Sequence, residues 1–176
     1  MQSLLAARAQ LSKMPADVFN QWLIEVVEER GWPFGKVDAP KLPPEWHAFL
    51  LGRPISYWSA LNWELRDVRF EDANFESESL KKAACILEEV TTGRQVFRHP
   101  IERSAERLAS CLKYIAENGR LPRPLICVDD PCGLRPLIDG HHRVASLMAY
   151  IHPDDLDDFV VPVWIGKLGH GVSNAA

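Results

Sequence analysis

Apolar residues recur along the chain with two different periods, and the switches between them outline the secondary structure. Val18, Phe19, Trp22, Leu23, Val26 and Val27 keep the i, i+3, i+4, i+7 spacing of one helical face. They predict a helix over 15–30, with Pro15 in its first turn and Gly31 closing it. Between Gly31 and Pro44 stand Pro33, Gly35, Pro40 and Pro43, which exclude a regular helix and predict an extended linker. A short helix is expected from Glu45 to Leu51, ending at Gly52, followed by the aromatic segment Tyr57, Trp58, Trp63. Trp63 to Phe70 suits a strand better than a helix. Leu80, Ala83, Ala84, Leu87 and Val90 predict a helix over 77–90. Ala105, Leu108, Ala109, Leu112, Ile115 and Ala116 predict another over 104–118, with Gly119 as its left-handed stop.

Beyond Gly119 the period shortens. A strand over Pro124–Val128, a turn over Asp129–Gly133 and a short strand over Pro136–Ile138 lead to Asp139-Gly140-His141-His142-Arg143. A helix bearing Val144, Ala145, Leu147, Met148 and Ile151 follows, and a β-branched strand over Phe159–Ile165 ends the pattern. No internal repeat is present. Strands and helices in this order imply an α+β fold, a small mixed sheet with flanking helices. The expected organisation is a helical, Trp- and Pro-rich extension over 1–60, the mixed domain over 61–168, and a flexible tail over 169–176.

The five residues Asp139 to Arg143 carry the most chemistry. Strand, tight turn and helix start in succession, with Asp139 placed to cap the helix. The N–H groups of the first turn, the positive end of the helix dipole and the Arg143 guanidinium would then face one small volume suited to a phosphate or another oxyanion. The plain alternative is an ordinary Asp-Gly turn with a structural cap. His141 and His142 can donate hydrogen bonds or exchange a proton near neutral pH.

Asp-Gly-His-His-Arg between an apolar strand and an Ala-bearing helix resembles the ParB/sulfiredoxin-like superfamily, and the form of the motif is nearest that of the ADP-dependent free-serine kinases. A second likeness lies in Glu117 to Val128, similar to the superfamily's helix, glycine and Pro-apolar-x-Val strand. The likeness spans Leu61 to Lys167. It implies a nucleotide-phosphate site on Gly140, His141, His142 and Arg143, with ATP, ADP or CTP and Mg²⁺ as the cofactor pair. It also implies a catalytic carboxylate just after the first strand, at Glu71 or Asp72, with Asp139, His141 and His142 as the other candidate catalytic groups. Departures narrow the reading. Sulfiredoxins carry a reactive cysteine where this chain has His141, so peroxiredoxin repair is not expected. The stretch after Arg143 is short for a helix-turn-helix, so chromosome partition is not expected either. The expected function is nucleotide-phosphate binding with phosphoryl transfer or hydrolysis; a non-catalytic nucleotide- or DNA-binding regulatory module and a ParB-like nuclease are the alternatives.

Composition adjusts this picture only slightly. With 47% hydrophobic residues and six Trp, the 176-residue chain reads as globular. It is long enough to bury about 70% of its unfolded surface. A net charge of −4 and a pI near 5.9 provide no whole-molecule attraction to nucleic acid, which is possible as a partner but not favoured. Residues 94–123 do gather Arg94, Arg98, Arg103, Arg107, Lys113, Arg120 and Arg123. Trp22, Trp32, Trp46, Trp58 and Trp63 read as core filling, or less readily as a base-stacking platform. Cys85, Cys111, Cys127 and Cys132 form neither a zinc set nor a disulfide framework. No signal-like start and no run approaching 18 apolar residues occurs, so a cytoplasmic location away from membranes is expected. Oligomeric state is left open.

Overall fold

A computed structural model describes residues 2–35, 43–97 and 100–169. The chain divides into two compact units, Leu65–Ile165 and a second made of Met1–Glu64 with the segment from Gly166 onward. Both boundaries fall inside strands.

In the first 64 residues, α1 (Gln2–Gln10) precedes α2 (Ala16–Trp22) and α3 (Ile24–Arg30). The single helix expected over 15–30 breaks at Leu23, which ends α2 and starts α3, and Pro15 is the N-cap of α2. Gly31 ends α3 with φ +76°, as its position suggested. α1 has no apolar periodicity to announce it, since only Ala7 is buried on it. The expected linker lies partly outside the described residues, at 36–42. α4 (Pro44–His47) and α5 (Ile55–Ala60) complete the set. Trp46 and Trp58 are fully buried, and Trp22 packs against Trp58 with ring centroids 4.7 Å apart and planes tilted by 56°. Trp46 meets Trp32 edge-on at 5.3 Å. Rings packed against one another in this way fill a core; they present no open stacking platform.

The 65–165 unit contains the elements around the motif. β1 (Leu61–Arg69) leads into a 3-10 turn at Glu71–Ala73, then α6 (Ser77–Thr92) and α7 (Ile101–Asn118). β2 (Leu125–Val128), β3 (Leu137–Asp139), α8 (His141–Tyr150), α9 (Pro153–Leu156) and β4 (Val160–Leu168) follow. The four strands form one sheet in the order β1-β4-β2-β3. β2 and β3 pair antiparallel, with Ile126 opposite Asp139, Cys127 opposite Leu137, and a bulge between them. The fold is thus α+β, as the alternation of periods required.

The long helices are amphipathic as expected, but their buried faces are rotated from the expected ones. On α7 the buried positions are Ser104, Leu108, Cys111 and Ile115, a single stripe. α8 buries Val144, Ala145 and Leu147 completely and packs against both α6 and α7. These residues join Phe70, Ile86, Leu125, Val161, Val163 and Ile165 in one apolar cluster. Full burial of each large side chain contributes about 1.5–3 kcal/mol, enough to fix where α8 begins. Among the described residues no helix is long and apolar enough to cross a membrane.

Candidate functional site

The start of α8 is set by Gly140. Its φ of +112° turns the chain out of β3 and into the helix. A Cβ there would lie 2.6 Å from Leu125 Cδ2 and 3.1 Å from Arg143 Nη2, so only glycine fits. Gly140 is itself the N-cap residue, and no side chain caps the helix. The expectation that Asp139 caps α8 is therefore not met. Its carboxylate turns instead to the guanidinium four residues on, with Arg143 Nη2 donating to Asp139 Oδ2 at 2.5 Å. Arg143 Nη1 donates to the Pro124 carbonyl at 2.9 Å.

This clamp changes the role open to Arg143. Its side chain is only 11% exposed, against 34% for Asp139. Two of its five N–H groups are engaged by a carboxylate and a backbone carbonyl, and burial leaves little of the guanidinium for a phosphate. Burial lowers the Arg143 pKa and the Asp139 charge opposes that shift, so the pair holds the turn while its cation still contributes to the local field.

Other elements bring further groups to the corner. His142 Nε2 lies 3.3 Å from Ser104 Oγ, which ties the first turn of α8 to α7. Ser146 Oγ donates to the His142 carbonyl at 2.8 Å, one turn back along the same helix. His141 is half-buried, and its pKa falls to about 3. Burial is the largest cause, followed by the positive charge of Lys82; Asp139 opposes them. Lys82 on α6 is exposed as a residue, yet its ammonium is shielded enough for burial to lower its pKa, with Asp139 acting against that. The corner therefore holds a neutral imidazole, two cations and one carboxylate around an uncapped helix start. Arg123 adds a third positive charge close enough to act on Arg143.

Glu71 and Asp72 bond to an arginine on β1. Their carboxylates close on Arg69, at 2.7 Å and 2.9 Å, and Asp158 approaches the same guanidinium at 3.4 Å. The carbonyls of Asp72 and Ala73 accept from Arg135 Nη1, and Asn74 accepts from the Arg135 amide. Arg135 stands four residues before Asp139, about 13 Å along an extended chain. Arg135 Nε also binds Asp129 at 2.6 Å, so this second cluster fastens the β2–β3 turn to the segment after β1.

Lys82 and Ser104 were missed by sequence reasoning. A faint signal existed for the first. Ser79 Oγ accepts from the Leu137 amide, and Lys82 lies three residues further along α6, on a neighbouring face. Nothing local marks Ser104, whose contact is made across helices. For Mg²⁺ the residues do not make a protein site: the corner has one carboxylate, already bonded to Arg143. Among the described residues no three His, Cys, Asp or Glu gather in a way that could hold a metal ion. Comparison with known proteins finds no family model, no curated protein and no solved structure that matches this chain.

Proposed function

We propose that this protein binds the phosphate groups of a nucleotide at the N-terminus of α8. One observation carries the reading: an uncapped ten-residue helix starts at a glycine that tolerates no Cβ, in a corner where Lys82 and Arg143 both act on His141. Backbone N–H groups and the dipole favour an anion at such a position. Neutral His141 donates one N–H to it, Lys82 supplies the mobile charge, and the Asp139–Arg143 clamp keeps the turn in shape. The resemblance of Asp139 to Arg143 to the ParB/sulfiredoxin-like motif supports the same ligand class, with ATP, ADP or CTP as candidates and Mg²⁺ arriving on the phosphates.

The arrangement supports binding more strongly than turnover. Phosphoryl transfer needs a base positioned on the acceptor. The carboxylate in this corner is clamped by Arg143, and Glu71 and Asp72 are held by Arg69. Equilibrium titration with ATP, ADP and CTP, with and without Mg²⁺, tests the reading. Binding that weakens about tenfold in Lys82→Gln supports it. Nucleotides that fail to bind, or that bind Lys82→Gln equally well, overturn it. Steady product release in the same mixtures would restore transfer or hydrolysis as the activity.

A further inference from the structure

A second recessed surface lies where α7 hands the chain to β2. Its lining runs through the connecting loop from Gly119 to Pro124, with Tyr114 on α7, Asp67 on β1, and Val160 and Pro162 on β4. The cavity measures about 520 Å³. That is within the ~300–1,000 Å³ range of small-molecule sites. It neighbours the α8 corner: Pro124 lines the cavity while its carbonyl accepts from Arg143 Nη1, and the Arg123 charge on the lining also acts on Arg143.

Its chemistry is specific. Arg120 and Arg123 are both exposed on this loop, and among the described residues neither guanidinium makes a hydrogen bond or an ion pair. Three arginines of the same unit are bonded to acids: Arg69 to Glu71, Asp72 and Asp158, Arg135 to Asp129, Arg143 to Asp139. Arg120 and Arg123 stand three residues apart on the lining of one cavity, on a chain whose net charge is −4. Leu121, Pro122, Pro124, Pro162 and Tyr114 supply the apolar part of the lining. Asp67 provides one acceptor on the lining.

We infer that this cavity is a binding site for a small organic anion carrying a flat ring, of the aryl phosphate type. Two planar guanidinium forks three residues apart match the oxygens of a dianion. The proline and tyrosine surfaces match the faces of a ring, and a cation beside a ring adds attraction. A bare inorganic anion would leave the apolar walls uncovered, and an uncharged aromatic would leave both guanidinia without a partner.

Phenyl phosphate is the probe, followed by ¹H–¹⁵N amide shifts on the full chain. The expected result is saturable movement at Gly119–Arg123, with weaker binding of both inorganic phosphate and benzyl alcohol. Changing Arg120→Gln and Arg123→Gln together should weaken phenyl phosphate about a hundredfold, one factor of ten per charge-assisted contact. Arg94→Gln, which removes an exposed charge elsewhere, should leave affinity unchanged. The two arginines are exposed, so their replacement leaves the core intact, which circular dichroism verifies. The inference is overturned by shifts at Gly140–Arg143 alone, by unaltered affinity in the double variant, by equal binding of inorganic phosphate, or by no binding. Failure of the nucleotide reading does not touch it, because that reading answers to Lys82 and His141.

Discussion

Acidification tests the description of His141 quantitatively. In the unfolded chain its imidazole protonates near 6.5; in the folded protein burial and the Lys82 charge hold that step down to about 3. A folded-state pKa below the unfolded value means that the unfolded chain takes up the proton first as pH falls. Stability is then lost progressively below about pH 6.5, and the loss stops near pH 3, where the folded form protonates as well. Between pH 7 and pH 5 the full shift corresponds to about 2 kcal/mol, and partial exposure of the ring reduces this to about 1–2 kcal/mol. Urea unfolding of the wild type and of His141→Gln at both pH values isolates the contribution, because other titrating groups appear in both proteins. The wild type should lose about 1–2 kcal/mol more than the variant on acidification. Equal losses, or an imidazole titrating near 6.5 in the folded protein by NMR, would refute the argument that the corner is shielded and positively charged.

Four other substitutions follow from the geometry. Arg143→Ala leaves Asp139 facing its vacated partner and should cost about 2–3 kcal/mol in urea unfolding. This is the lower end for a broken buried pair, since Asp139 is a third exposed, and a loss below about 0.5 kcal/mol would deny the clamp. Gly140→Ala combines a left-handed backbone with a methyl driven into Leu125 and should cost about 2–4 kcal/mol by thermal or urea unfolding. Glu71→Gln and Asp72→Asn alter exposed groups bonded to Arg69 and should change nucleotide affinity by less than twofold in the titration above; a larger effect would return these acids to the site.

Much of the fold was legible because burial enforces period. α6, α7, α8 and the strands β1, β2 and β4 lie within a few residues of their expected bounds, although the buried stripe of α6 is Ser79, Ala83, Ile86 and Glu89 and that of α7 is Ser104, Leu108, Cys111 and Ile115, each rotated from the one expected. What was not legible lacked such a stripe. α1 buries one alanine, α9 buries nothing, and Leu23 continues the apolar pattern straight through the break between α2 and α3. At the site, the turn at Gly140 was readable from Asp-Gly before an apolar helix, but partner choice was not. Asp139 had two chemically acceptable partners, the helix N–H groups and Arg143 at i+4, and the fold selects the second. Lys82 and Ser104 reach the corner from other helices, and local sequence does not encode distances between helices. The carboxylates after β1 were drawn toward the motif by analogy, whereas they bond to Arg69, and Arg135 binds the carbonyls of Asp72 and Ala73.

The central claim is that the first turn of α8 receives phosphate. Titrating ADP, ATP and CTP into ¹⁵N-labelled protein and following the amides of Gly140, His141, His142 and Arg143 tests it most directly. The account predicts saturable shifts centred on those four amides, accompanied by an upward move of the His141 pKa as the anion offsets the Lys82 charge. Saturating nucleotide that leaves these amides in place, with or without shifts elsewhere, would contradict it.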